Sequence, residues 1–192
     1  MSRKITFFKL YGNKGPRLLP FQYYDTFNMI TIPTNGKVPF IRYWDRVKKT
    51  VPPIYIENNI AMLTGSINDI TVLDIDLKES GLEHWESMLK EHGIKRLDTP
   101  TVKTASGFHI YFKYEKDLKT SNRITVIDPK TGLKKRIGWD LRNDKAMVLV
   151  PPSIINDVKY VFVIPFNKDK IMKMPEWLKI YIMEHASPYK KW

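Results

Sequence analysis

The sequence has no cysteine, which excludes disulfides and thiolate zinc sites together. Histidine is scarce too. His84, His92, His109 and His185 do not pair at a zinc-binding spacing, and the first two fall on one expected surface helix. Zinc is therefore not expected; a hard cation on carboxylates suits this composition better. No apolar run is long enough to span a bilayer, so no membrane partner is expected. Met1 to Leu10 lacks the apolar segment and cleavage site of a secretory signal. An intracellular protein is the expectation. Internal repeats, low-complexity tracts and a P-loop are absent, the last excluding an ATPase of that kind within these residues. A His-hydrophobic-His pattern is missing as well, which leaves a rolling-circle nicking enzyme without support.

Acids are the minority among charges: 20 Asp and Glu against 32 Lys and Arg, a formal net charge of +12. That surplus favours a polyanionic partner, most simply nucleic acid. With 192 residues the chain suits one compact domain with a sizeable core.

Aromatics and turn formers, including Asn35-Gly36, dominate up to about Thr50, and Pro52-Pro53 marks a break. Ile70 to Leu77 is β-branched and apolar, which predicts a buried strand. Ser80-Gly-Leu-Glu83 has the form of a capping box and opens a helix carrying Leu82, Trp85 and Leu89, stopped at Gly93. Thr101–Thr104 and Phe108–Phe112 read as further strands, so the skeleton is a layered α/β domain. Two more strands are expected between Ile137 and Val150, around a polar turn at Arg142-Asn-Asp-Lys145. Between them and the earlier strands, the basic stretch Asp128–Arg136 predicts a hairpin or a flexible connection. Pro175 starts a closing amphipathic helix with Trp177, Leu178, Tyr181 and Ile182, and Tyr189–Trp192 reads as a tail.

Asp74 and Asp76 are the sharpest chemical signal. Alternate side chains of a strand share a face, so both carboxylates project together while Leu73, Ile75 and Leu77 point to the core. Two like charges within an apolar strand need compensation, and a divalent cation supplies it directly. The competing reading is a solvated strand end. His109 follows the Ser106-Gly107 turn, where backbone amides and an imidazole could meet an anion; a satisfied strand histidine is the alternative. Asp140 lies between Trp139 and Leu141, either as a further site acid or as a structural partner of Arg142 or Lys145.

Taken in order, these pieces resemble the bifunctional primase–polymerase domain of the archaeo-eukaryotic primase superfamily, found in plasmid, phage and large-DNA-virus replication proteins. Gly36-Lys-Val-Pro39 with Trp44 resembles its Lys-x-Pro segment and later Trp. Asn59–Gly65 leading to Val72-Leu-Asp-Ile-Asp76 resembles the first catalytic motif. Thr99–Thr104 followed by Ser106-Gly-Phe-His109 resembles the second, one residue shorter than the usual Ser-Gly-Gly-x-His. Trp139-Asp-Leu-Arg142 resembles the third, Val150-Pro-Pro-Ser153 before Tyr160 the Pro-Pro-Ser segment, and Pro175-Glu-Trp-Leu178 the closing Pro-x-Trp-Leu.

The resemblance implies an α+β fold with an RNA-recognition-motif-like (RRM-like) catalytic sheet and a smaller α/β amino-terminal lobe. It implies a single catalytic domain over residues 1–192, as an amino-terminal part of a longer primase–helicase where a helicase is fused or associated. The implied activity is template-dependent nucleotidyl transfer, as DNA primase or DNA polymerase, from NTP or dNTP on single-stranded DNA. Asp74, Asp76 and Asp140 would hold two Mg2+ or Mn2+ ions. His109 and Ser106 would bind the triphosphate, with Arg142 and then Lys103 as further phosphate ligands. The implied setting is the cytoplasm, or a host cell for a plasmid- or virus-encoded protein. Two rivals stay open: a replication-initiator or single-strand-binding module with a degenerate site, and a metal-dependent nuclease. Tyr23, Tyr24 and Trp44 are either core residues or stacking platforms for bases, and Lys134-Lys-Arg136 either a solvated loop or a contact to template or nucleotide.

Overall fold

A computed structural model describes residues 20–53 and 59–187. The expected tail at Tyr189–Trp192 and the amino-terminal Met1–Leu10 stretch lie outside the described residues.

Two antiparallel sheets face each other, and helices cover one of them. Strands β1 (Thr31–Asn35), β2 (Val38–Pro39), β3 (Asn59–Leu63) and β10 (Met147–Val150) form the first, in the order β10-β3-β1-β2. The second runs β13 (Val161–Ile164), β5 (Thr101–Lys103), β6 (Gly107–Lys113), β4 (Ile70–Asp76), β9 (Trp139–Arg142). Two ribbons complete the strands: β7 (Thr125–Ile127) with β8 (Lys134–Arg136), and β11 (Ile154–Ile155) with β12 (Val158–Lys159). The helices are α1 (Pro20–Asp25), α2 (Gly81–Glu91) and α3 (Glu176–His185). The fold is thus α+β. Among the described residues, no helix is long and apolar enough to cross a membrane.

The central strand β4 explains the layering. One face carries Leu73 and Ile75, which pack with Ile110, Phe112, Trp139 and Leu141 against Trp85 and Leu89 of α2 and Leu178 and Ile182 of α3. The Trp139 indole meets the polar requirement of its burial by donating Nε1–H to the Gly81 carbonyl at 2.8 Å. The other face carries Ile70 and Val72, which pack with Tyr111 and Val102 against Ile32, Met62 and Leu149 of the first sheet. Further along that second face, the residues change from aliphatic to Asp74 and Asp76, and the surface opens from buried to half-buried. The site therefore begins where the inter-sheet core ends.

Several expectations need correction. The first sheet is not purely amino-terminal, because β10 joins it from beyond the second sheet. The two strands expected around the polar turn after Arg142 are present, and that turn is a crossing between the sheets. Asn143 anchors it by donating to the Glu115 and Leu118 carbonyls, and Asp144 by accepting from Ser66 and Tyr114. Ser80 makes no side-chain cap bond, since it is left-handed (φ 60°) and follows a 3-10 turn over Lys78–Ser80. Leu77 does not enter the core; β4 ends at Asp76 and Leu77 is half exposed. Tyr24 is wholly buried, its hydroxyl donating to the Pro151 carbonyl, and Tyr23 and Trp44 pack against the same core.

Candidate active site

Register brings the acids together. Asp74 on β4 pairs with His109 on β6 to one side and with Asp140 on β9 to the other. Residues in register across neighbouring strands share a face, so one carboxylate stands between an imidazole and a second carboxylate. Asp76, two residues on, occupies the same face. Its flanks are bare: Gly107 is its partner on β6, and its own amide donates to the Gly138 carbonyl at 2.7 Å.

Those glycines have different reasons. Gly138 is left-handed, at φ 68°. Gly107 is an ordinary strand residue whose missing side chain matters for space, because a Cβ there would overlap the Ile75 carbonyl oxygen. A tight backbone approach, rather than a flexible anion-binding turn, is what Gly107 provides. Gly107→Ala is expected to push β6 away from β4 at the site, costing about 1–3 kcal/mol. That corresponds to about 2–4 °C of melting temperature for each kcal/mol. A melting curve matching wild type would show that the approach is not needed.

Around this face lies a cavity of about 350 Å³, lined by Asp74, Asp76, Asp140, Ser106, His109 and Arg142 among others. Six of the seven expected site residues therefore meet. Lys103 does not join them: it pairs with Phe108, whereas its neighbour Val102 pairs with His109. Alternation turns Lys103 to the opposite face, where it is exposed. Arg136, expected either as part of a solvated loop or as a contact to template or nucleotide, lines the cavity too, and lining residues to which the sequence pattern assigns no role are Lys37, Lys78, Glu79, Thr104 and Tyr160. Lys37 arrives from the β1–β2 turn of the other sheet. Lys37 and Tyr160 both lie within or beside segments that carry the family resemblance, which is the only signal available for them.

Electrostatics tie the cluster. One guanidinium nitrogen of Arg142 donates to Asp140 at 2.6 Å and to Asp74 at 3.4 Å, so a single cation bridges two acids. Arg136 approaches Asp140 at 3.5 Å and Glu79 at 3.4 Å from the cavity rim. Burial pushes the Asp140 carboxyl above its ordinary range; Arg142 opposes this and the charge of Asp74 adds to it. Among the described residues Asp76, by contrast, accepts only the Lys78 amide, at 3.1 Å.

His109 is buried, and its Nε2 lies 3.5 Å from Asp74 Oδ1. Burial lowers its pKa more than Asp74 raises it, so the ring is neutral near pH 7. Among the described residues, the buried Nδ1 has no hydrogen-bond partner. Tyr160 packs edge-on to the imidazole with ring centroids 5.9 Å apart, and burial pushes its phenol pKa up, the Ala105 amide and Thr104 side chain opposing this. His109 is thus fixed from two sides.

The donor set fits a hard divalent cation. Three carboxylates share one face, and among the described residues the buried Asp140 Oδ1 has no hydrogen-bond partner. Among the described residues, no three acidic or imidazole groups are already gathered around one metal position. Asp74 and Asp140 are instead turned onto Arg142, whose charge does the compensating.

Carboxylates and the cations Lys37, Lys78, Arg136 and Arg142 thus line one polar cleft of an α+β domain. The family is shown directly. The chain belongs to the bifunctional DNA primase/polymerase family, whose N-terminal domain matches residues 13–177. Membership gives the activity class, nucleotidyl transfer of the DNA primase/polymerase type. A comparison with curated proteins returned no match.

Proposed function

We propose that this cleft extends a nucleic-acid strand by joining nucleotides from NTP or dNTP on a single-stranded DNA template. The observation that carries the reading is the row Asp140–Asp74–His109 across three adjacent strands, with Asp76 open beside it. We further propose an archaeo-eukaryotic primase architecture, with the five-stranded RRM-like sheet as the catalytic unit and residues 1–192 as one domain.

Asp74, Asp76 and Asp140 would hold two Mg2+ or Mn2+ ions. When bound, these would neutralise triphosphate charge and lower the pKa of the attacking 3′-hydroxyl. In the reaction the 3′-hydroxyl gives up its proton to solvent water, its oxygen bonds to the α-phosphorus, the bond from that phosphorus to the bridging oxygen breaks, and pyrophosphate leaves with the electron pair. The chain's own residues align and neutralise. His109, packed against Tyr160, would donate Nε2–H to the triphosphate as the neutral tautomer that leaves Nδ1 unprotonated, and Ser106 offers its hydroxyl from the adjoining loop, its amide being given to Thr104 Oγ1. Arg142 is the nearest strong phosphate ligand once its carboxylates are engaged elsewhere. Positioning of this kind is where phosphoryl transfer gains most of its catalysis.

Incubation with homopolymeric single-stranded DNA and each labelled nucleotide in turn, with magnesium or manganese, tests the reading. Only the complementary nucleotide is expected to enter product. Incorporation without regard to the template would contradict template dependence, and no incorporation of any nucleotide would contradict the activity.

A further inference from the structure

We infer that the β7–β8 hairpin is a strand-binding arm that carries single-stranded nucleic acid away from the cleft; the inference rests on the activity proposed above. Among the described residues the two strands of the hairpin pair only with each other, while its base is fastened by the buried Ile124 and Ile137. Its outer part stands in solvent, with every residue from Lys130 to Arg136 exposed. The turn is nonetheless ordered: Asp128 accepts the Lys130 and Thr131 amides, and its own amide donates to the Leu133 carbonyl.

Charge and alternation give the arm a direction. From Asp128 to Arg136 there are four cations, Lys130, Lys134, Lys135 and Arg136, against one acid. Among the described residues, none of the three lysines has a carboxylate partner, although the cleft beside them is rich in acids. Arg136 at the base faces the cleft, reaching Glu79 and Asp140. Lys134 shares its face, about 7 Å further out along the strand. That is the scale on which successive phosphates of an extended strand repeat. Ile127 lies opposite Lys134 in register, and both Ile127 and Leu133 are exposed apolar residues beside the charges. Bases unstacked from a single strand have apolar faces to cover, and phosphates have charge to neutralise; this surface offers both.

The test is fluorescence anisotropy of a labelled oligo(dT) across a range of salt, without added metal. Wild type is compared with Lys130→Glu/Lys134→Glu and with Lys134→Ala, each checked by melting temperature. Lys90→Glu on α2 controls for a change of net charge remote from the cleft. The double variant is expected to bind about tenfold more weakly, its salt slope shallower by about 0.7 for each phosphate that is no longer neutralised. Lys134→Ala is expected to follow in the same direction, and Lys90→Glu to stay near wild type. Equal weakening in Lys90→Glu and the hairpin variants, or unchanged binding in the latter, would overturn the arm. Failure of the activity reading looks different: the arm variants lose binding while wild type incorporates no nucleotide.

Discussion

Asp76→Ala is expected to lower nucleotide incorporation below about one-thousandth of wild type while the metal-free domain melts at the same temperature or higher. The size of the loss follows from removing a fixed negative charge at a site whose catalysis is electrostatic. The stability argument comes from the surroundings of Asp76. Among the described residues it accepts only the Lys78 amide and pairs with no cation, so its removal strands none of them and eases repulsion from Asp74. Asp74→Ala and Asp140→Asn should be equally inactive but less benign. Each breaks one end of the bridge that Arg142 makes, and the 2.6 Å contact to Asp140 is the closer. Deleting either acid of Asp-x-Asp eases like-charge repulsion, but only at Asp76 is stability expected to hold, because Asp74 is also one end of the Arg142 bridge. Differential scanning fluorimetry with a parallel incorporation assay checks both halves. An Asp76→Ala protein that keeps synthesis, or that melts clearly earlier, would contradict the assignment.

The second large effect concerns His109. His109→Ala is expected to reduce kcat/KM for the nucleotide by on the order of ten- to a hundredfold, as a hydrogen bond to a charged group is worth about 1.5–3 kcal/mol. The three aspartates are untouched, so metal affinity should survive. Because His109 is buried against Tyr160, some loss of stability accompanies the change and must be separated from it. His109→Gln makes that separation: it keeps a hydrogen-bonding side chain and should recover part of the nucleotide use. If both variants melt early yet titrate nucleotide like wild type, His109 is a packing residue and not a ligand.

Local pattern reaches some of this molecule and not the rest. The strand at Ile70–Asp76 is legible because its alternation is dense and both faces are buried for part of its length. Asp74 and Asp76 are legible for the same reason, as charges that interrupt it. Asp140 and His109 are weaker as isolated residues; resemblance draws them in, and register explains why, since both neighbour Asp74 on adjacent strands. What stays hidden depends on long-range pairing. Nothing in Met147–Val150 says that it leaves the sheet of β9 to pair with β3. Lys37 reaches the cleft only because the two sheets face each other there. Ser80 and Glu83 have capping-box identity, yet the preceding 3-10 turn fixes a backbone that does not form one. Lys103 shows the converse failure, a cation of suitable type and position that alternation turns away.

The central claim is that this cleft lengthens strands, which one gel measures. A 5′-labelled primer annealed to a longer single-stranded template is incubated with nucleotides and magnesium or manganese, using wild type and Asp76→Asn. Wild type should convert the primer to longer products with time, and Asp76→Asn should leave it unchanged. Shortening of the label by wild type would identify a nuclease, and equal lengthening by both proteins would place the chemistry outside this cleft.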